Sequence, residues 1–188
     1  RCIYKKLPGC EPVYTIYDAA DRPVFTQDGN QRDKGEWSFS FVDAFNRVVV
    51  TGTCKNTFSY TADPLKDIIA KATWVKQTNV LKGYSVPNIT LTSPTVFTAN
   101  YYDNYEFLSL NGIPDTISTN SPTRYKLVSG FGKRYIGGCK GQQTGSWIAR
   151  LSKTGITGSP LYTVMYYDDR YRVIQQKGNN ELSGTDQI

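Results

Sequence analysis

The chain has 188 residues, with 22 Lys and Arg, 16 Asp and Glu, no His and a net charge of +6. A chain of this length favours one domain and can bury a substantial core. The lack of His excludes Ser-His and Cys-His catalysis, haem held by His and zinc sites that need imidazole. No apolar run reaches the ~20 residues of a membrane-spanning helix, so we expect no transmembrane segment.

Alternating apolar and polar residues, separated by turn residues, predict short β-strands along most of the chain. The clearest alternation places Trp37, Phe39 and Phe41 on one face and Ser38 and Ser40 on the other. The predicted strands span residues 13–17, 23–26, 37–42, 48–53, 73–77, 89–92, 96–98, 105–110, 125–129, 134–137, 147–152, 161–166 and 171–175. About a dozen short strands at this spacing predict an all-β fold, and we expect a single antiparallel β-barrel over residues 1–188.

One segment breaks the period of two and predicts a short helix over residues 64–72. Asp63 has the chemistry of an N-cap, and Pro64 suits the first helical position. The apolar residues that follow at helical spacing are Leu65, Ile68, Ile69 and Ala72. We expect this apolar stripe to pack on the core rather than to bind a partner.

Three segments share one pattern, in which an apolar or aromatic residue precedes Asp, three further residues, Arg and a new apolar run. The pairs are Asp18 and Arg22, Asp43 and Arg47, and Asp168 and Arg172. An Asp side chain here can accept hydrogen bonds from backbone N–H groups, and Asp21 and Asn46 tolerate the left-handed conformation. The pattern therefore predicts hairpins with a structural role for these pairs. Catalytic carboxylates are the alternative, but no base, metal or nucleophile lies at a recognisable spacing.

These hairpins resemble the opening of the tubby-like superfamily, which includes phospholipid scramblases and plant LURP-one-related proteins. The segments that carry the resemblance are 13–18, 23–25, 39–43, 47–50, 125–128, 134–137, 147–153 and 171–174. The resemblance implies a β-barrel and contact with phosphoinositides or membrane lipids, and it transfers no individual site residue. The family's barrel holds an apolar C-terminal helix, whereas residues 178–188 do not form an apolar stripe. We expect a truncated chain, a differently filled core, or self-assembly or a partner protein that completes the barrel.

Two other families share features with the chain. Gly35, Glu36 and Trp37 resemble the G-x-W motif of the lipocalins, and Trp147 leads a late strand. This resemblance implies a carrier of a small apolar ligand, although 34 residues precede Gly35. Residues 17–24 and 125–128 resemble a Kunitz-type trefoil inhibitor, whose usual cysteine placement does not match this chain.

The positive charge is concentrated near the C-terminus. Residues 1–123 carry 12 basic and 12 acidic side chains, whereas residues 124–188 carry 10 basic and 4 acidic ones. This excess predicts attraction to an anionic lipid or an acidic polymer, and a solvated basic face is the alternative. Glycine-rich basic segments at 130–134 and 137–141 favour an anion-binding nest but lack the pattern of a nucleotide-binding loop. The predicted anion-binding residues are Lys133, Arg134, Lys140, Arg150, Lys153, Arg170 and Arg172.

Four cysteines and one glycosylation sequon indicate in which cellular compartment the protein occurs. The cysteines are Cys2, Cys10, Cys54 and Cys139, and their even number predicts two disulfides, with buried free thiols as the alternative. Asn88 begins an Asn-Ile-Thr sequon and is a candidate for glycosylation. Together with the start at Arg1, these features favour a secreted glycoprotein whose signal peptide has been removed. A cytoplasmic protein or an internal fragment is the alternative.

The sequence predicts a non-catalytic module without a metal or cofactor site. Asp168 and Asp169 are adjacent, as are Ser152 and Lys153. Because neighbouring residues of a strand point to opposite faces of the sheet, the two side chains of each pair are not expected to act together in catalysis. Nucleic acid is disfavoured as a partner because no RNP-like or helix-turn-helix pattern is present. We expect a module that binds an anionic lipid or acidic polymer, or that assembles with other chains. A lipocalin-like carrier and a structural component of an extracellular assembly are the alternatives.

Overall fold

A computed structural model describes residues 1–114, 125, 129–130, 133–153, 155–182 and 184–188. The chain forms two compact units, which comprise residues 1–75 with 84–97 and residues 76–83 with 98–188. Antiparallel strand pairs dominate both units, so the all-β class predicted from the sequence is confirmed. No helix of the described residues combines the length and the apolarity needed to span a bilayer.

The first unit consists mainly of consecutive antiparallel strands. Its elements are β1 (Tyr4–Lys5), β2 (Val13–Tyr17), β3 (Pro23–Gln27), α1 (Gly29–Lys34), β4 (Trp37–Val42), β5 (Val48–Cys54), a 3₁₀ turn (Tyr60–Ala62), β6 (Thr73–Trp74), β7 (Tyr84–Ser85) and the start of β8 (Thr95–Tyr102). From β1 to β5, each strand pairs with the next one along the chain. Strands β6 and β7 form a separate pair.

The core of the first unit follows the alternation along β4. Trp37, Phe39 and Phe41 are each at most 2% exposed, so the predicted inward face is confirmed. Phe25 on β3 pairs with Phe39 and meets Phe41 edge-on, with ring centroids 6.0 Å apart. Gly52 on β5 lies opposite Phe39, and a Cβ at Gly52 would clash with the carbonyl oxygen of Thr95. The Phe39 ring therefore occupies the space that a side chain at position 52 would otherwise need.

The predicted helix over residues 64–72 is wrong, since the segment forms turns and ends in a bridge between Lys71 and Val42. Asp63 has a φ of 45° and not the extended backbone of an N-cap. The backbone groups of Ala70 are held by the first hairpin: Ala70 N–H donates to Asp18 at 3.0 Å, and Arg22 donates to Ala70 oxygen at 3.2 Å. These bonds replace the ones a helix would make.

The helix of this unit lies instead at α1, between β3 and β4. Asp28 accepts from the backbone N–H of Gln31 at 2.8 Å, and the Gln31 side chain accepts from the Asp28 N–H at 3.0 Å. This reciprocal pair is a capping box. Gly35 closes the helix in the left-handed conformation, with a φ of 62°.

The second unit contains the rest of β8 and the strands that follow it. Its further elements are a 3₁₀ turn (Ile136–Cys139), β9 (Gln143–Ile148), β10 (Leu151–Ser152), β11 (Gly155–Ile156), β12 (Leu161–Tyr167), β13 (Val173–Asn179) and β14 (Thr185–Gln187). The strand order is β8, β9, β12, β13 and β14, and each neighbouring pair is antiparallel. Strands β10 and β11 form a separate hairpin between β9 and β12.

The sheet within each unit is open. Among the described residues no strand pair closes either sheet, so the predicted closed barrel is not found. Three predicted strands are also wrong: residues 89–92 form an irregular segment, residues 105–110 form mostly turns, and residues 136 and 137 begin the 3₁₀ turn. Left-handed residues such as Asn88 and Ser109, with φ of 67° and 70°, break the extended backbone there. The predicted strand at 125–129 lies largely outside the described residues.

Candidate functional site

The hairpin between β12 and β13 is held by the carboxylate of Asp168. One oxygen accepts from the backbone N–H groups of Arg170 and Arg172, each at 2.9 Å. The other oxygen accepts from the Arg172 guanidinium Nε at 2.7 Å. Tyr171 closes the turn in the left-handed region, with a φ of 61°. We term this arrangement, in which one carboxylate binds two backbone N–H groups and an Arg side chain, the Asp–Arg clasp.

The same clasp occurs in the other two predicted hairpins. Asp18 accepts from the N–H groups of Ala20 and Arg22, both at 3.0 Å, and from the Arg22 guanidinium. The Asp43 carboxylate makes the corresponding bonds to Phe45 and Arg47. In all three hairpins the register shifts by one residue where the strand meets the turn. The predicted structural role of the Asp and Arg pairs is therefore confirmed.

The first and third clasps hold the carboxylates of Asp18 and Asp168 in the charged form. Burial alone would raise the pKa of Asp18, but hydrogen bonds from Arg22 and Ala70 outweigh it and lower the pKa below its ordinary value. At Asp168 the backbone N–H of Arg172 is the main cause of a lowered pKa, aided by the Arg172 side chain against the effect of burial. Both groups are thus ionised acceptors at neutral pH rather than proton donors.

A surface pocket of the second unit brings together part of the predicted anion-binding set. It measures about 400 Å³ and is lined by Lys133, Arg134, Tyr135, Asp168, Asp169 and Arg172. We term it the basic pocket. Its lining carries three cations and two carboxylates, a net charge of +1. The sequence therefore predicted all three of its cations, and it missed that both carboxylates line the same pocket.

Two backbone contacts join the sides of the basic pocket. The Tyr135 N–H donates to the Tyr167 carbonyl oxygen at 2.9 Å, just before the third clasp. A Cβ at Gly138 would clash with the carbonyl oxygen of Asp168, so this close approach requires glycine. These contacts set residues 133–135 beside the hairpin, although more than thirty residues of chain separate them.

Arg134 is held in the basic pocket by aromatic rings. Its guanidinium carbon lies 4.4 Å from the ring centroid of Tyr105 and 4.9 Å from that of Tyr166. These rings stack on each other, with centroids 5.2 Å apart. Burial raises the pKa of Tyr166 to about 12 and also raises the pKa of Tyr105, so both phenols stay neutral. The cation thus lies against a neutral aromatic surface, which is favourable for cation–π attraction.

Arg134 and Lys133 are the two cations of the pocket outside the clasp, and they share it with the carboxylate of Asp169. Neither forms an ion pair with another described residue, and the buried Nε of Arg134 has no hydrogen-bond partner among them. Arg172 is paired with Asp168, yet 66% of its side chain is exposed. The arginines of the other two clasps are only 22% and 21% exposed, so Arg172 is the clasp arginine most accessible to a ligand.

The other four predicted anion-binding residues do not line the basic pocket. Lys140 is exposed after the 3₁₀ turn, and Arg170 is exposed in the third hairpin. Arg150 and Lys153 belong instead to the β10–β11 hairpin, where the Thr157 N–H donates to the Arg150 carbonyl oxygen at 2.9 Å. The predicted set therefore divides between the basic pocket and other parts of the second unit.

A sharper signal for this basic region is present in the sequence. Residues 116–167 contain seven Lys or Arg and no Asp or Glu. Counting charge over the whole of 124–188 obscures this run, because it adds the four acidic residues that follow. An unbroken basic run points more directly to an anionic partner than a net excess does.

The predicted disulfides are not formed. All four cysteines are free thiols; Cys2 and Cys10 are exposed, whereas Cys54 and Cys139 are buried. Burial raises the pKa of the Cys54 and Cys139 thiols, which makes both less reactive. Asn88 is exposed in a turn, and its glycosylation stays a prediction.

Neither a scan against protein-family models nor a search of the curated proteins finds a match to this chain. The resemblances to the tubby-like superfamily and to the lipocalins therefore stay predictions from the sequence. The function is therefore inferred from the site itself.

Proposed function

We propose that this protein is a non-catalytic binding module that engages an anionic partner through the basic pocket. Lys133 and Arg134 form no ion pair with another described residue, and Arg172 adds an exposed guanidinium, so the pocket keeps a net charge of +1 despite Asp168 and Asp169. Secretion forms part of the proposal, since an extracellular basic site has abundant anionic partners.

The observation that carries the proposal is the position of Arg134. Its guanidinium rests on the stacked rings of Tyr105 and Tyr166, so a ligand does not have to order a flexible side chain. A cation ordered before binding loses less entropy when the complex forms. Arginine also presents a planar fork that matches carboxylate, sulfate and phosphate groups.

The three clasp carboxylates support a non-catalytic role. Asp18, Asp43 and Asp168 each accept two backbone N–H groups and an arginine, so they are occupied in holding turns. Their shared geometry in three hairpins is explained by structure alone. A proton-transfer role would require a carboxylate free to approach a substrate.

The proposal is tested by the affinity of the purified chain for a fluorescent heparin oligosaccharide. The double variant K133E/R134Q should bind about tenfold more weakly or worse, because it removes both pocket cations that lie outside the clasp. K133E alone should show a smaller loss, and since Lys133 is exposed this variant should fold normally. Circular dichroism of each variant verifies the fold.

A matched control changes the charge elsewhere. K55E/K66E reverses two exposed lysines of the first unit and alters the net charge by more than K133E/R134Q does. Its heparin affinity should stay within about twofold of the parent protein. Equal losses in the two double variants would contradict a localised site.

A carrier of a small apolar ligand and a structural component of an assembly stay predictions. The effect of salt separates the carrier from the proposed function. Binding of an anion to the basic pocket should weaken with added salt, whereas burial of an apolar ligand should not.

A further inference from the structure

The hairpin of β10 and β11 exposes apolar side chains to solvent. Leu151 is 58% exposed and Ile156 is 50% exposed, and Ile148, at the end of β9, is 42% exposed. Every described residue from 151 to 159 is exposed, so the hairpin has little packing of its own against the unit. These aliphatic side chains are grouped on one exposed hairpin, whereas apolar side chains scattered singly over a surface are common.

The pairing of the hairpin places its two aliphatic side chains together. Leu151 pairs with Ile156, and Ser152 pairs with Gly155. Paired residues of an antiparallel ladder share one face, and successive residues alternate between faces. One face of the paired strands is therefore aliphatic, and the other carries a hydroxyl group and a glycine, with Arg150 next to Leu151 on that second face by the same alternation.

The charges around this aliphatic pair are all positive. Arg150 precedes Leu151, and Lys153 follows Ser152 at the turn. The hairpin lies within residues 116–167, which contain no Asp or Glu. The hairpin thus combines an exposed apolar face with flanking cations and has no acidic residue to repel an anion.

We propose that this hairpin docks on the surface of an anionic lipid bilayer. Leu151 and Ile156 would enter the boundary between headgroups and acyl chains, and Arg150 and Lys153 would contact phosphate groups. A soluble acidic polymer uses the cations but gains nothing from the aliphatic pair, so the combination favours a lipid surface. This inference rests on the proposed function only in taking the partner to be anionic, and it names that partner as a membrane.

The size of the hairpin predicts peripheral and reversible attachment. Two half-exposed aliphatic side chains bury too little area to hold a protein on a neutral bilayer, so cations must contribute as well. The protein should therefore bind vesicles that contain phosphatidylserine and should bind pure phosphatidylcholine vesicles much more weakly.

The test is cosedimentation of the full chain with phosphatidylcholine vesicles that contain about 30% phosphatidylserine. L151S/I156S keeps every charge and should lose about tenfold or more in vesicle affinity. Its affinity for the soluble heparin probe should be unchanged. I69S/V80S is the matched control, because Ile69 and Val80 are 59% and 57% exposed elsewhere in the chain. The control should bind vesicles like the parent protein.

The outcomes separate this inference from the proposed function. If L151S/I156S binds the vesicles as tightly as the control, the hairpin is not a membrane contact and the inference is overturned. Binding of heparin without binding of vesicles also overturns it, while the proposed function stands. If K133E/R134Q keeps its heparin affinity while L151S/I156S loses vesicle affinity, the basic pocket fails and the membrane contact stands.

Discussion

The third Asp–Arg clasp places a tyrosine where the other two place Asp or Asn. Tyr171 has a φ of 61°, and the corresponding residues Asp21 and Asn46 have φ of 59° and 63°. The left-handed conformation is costly for an aromatic residue and is easily adopted by Asn. The sequence pattern predicted the left-handed position from Asp21 and Asn46, but Tyr171 gave no such signal.

Replacing Tyr171 by Asn should therefore stabilise the protein. We expect the free energy of unfolding to rise by about 0.5–1 kcal/mol, because the strained backbone is relieved and a side chain that is 54% exposed loses little packing. The reverse change at the matching position, N46Y, should lower the free energy by a similar amount. Urea denaturation monitored by tryptophan fluorescence measures both. A destabilised Y171N variant would show that the ring has a role that offsets the strain.

Asp18 is the residue through which acid should weaken the first unit. Its pKa in the folded protein lies below the ordinary value of 3.8, so its contribution to the free energy of unfolding is fully present above pH 3.8. As the pH falls through 3.8 and then through the lower folded pKa, the contribution is lost. Stability measured by urea denaturation should therefore fall with pH over this acidic range.

The variant D18N should lose that part of the pH dependence. At neutral pH its free energy of unfolding should be about 2–3 kcal/mol lower than that of the parent protein, since Arg22 and the Ala70 N–H lose a charged acceptor in a buried place. D67N changes an exposed carboxylate and should stay within about 0.5 kcal/mol of the parent protein at every pH. Parallel pH profiles for D18N and the parent protein would count against this role of Asp18.

Among the elements, strands with one buried face were the most predictable. The alternation along β4 directly sets which side chains are buried, so its bounds could be read from residues 37–42. The segment 64–72 has helical spacing too, but Asp18 and Arg22 bind its backbone from a distant hairpin. Helix α1 has no buried residue and therefore shows no apolar stripe, although its Asp28, Gln31 and Gly35 caps are visible. Local patterns predict elements only where distant contacts do not compete.

The close contact between β5 and β8 should make Gly52 intolerant of substitution. G52A should lower the free energy of unfolding by about 1–3 kcal/mol or more, because the new methyl group meets the Thr95 backbone and the Phe39 ring. T57A, in an exposed segment after β5, should change stability by less than about 0.5 kcal/mol. Thermal unfolding followed by circular dichroism compares the two variants. A G52A variant as stable as T57A would show that β8 can shift away without cost.

Across the whole molecule, the positive charge of a segment could be predicted from the sequence better than which of its cations lie together in the folded protein. The sequence predicted that residues 124–188 hold the positive excess and named seven cations. Only Lys133, Arg134 and Arg172 line the basic pocket, because the Tyr135 backbone bond and the contact of Gly138 join two distant segments. Contacts between segments so far apart leave no periodic trace in a single sequence.

Binding of a polyanion should therefore depend on where charge lies and not on the total of +6. Each cation that contacts the polyanion releases a bound counterion, so the logarithm of affinity should fall linearly with the logarithm of salt concentration. For heparin, K133E/R134Q should reduce the magnitude of this slope by about two, one for each lost contact. K55E/K66E removes more positive charge in total, yet it should keep the parental slope because its lysines belong to the first unit. Isothermal titration at several salt concentrations measures the slopes, and equal reductions for both variants would mean that net charge alone attracts the partner.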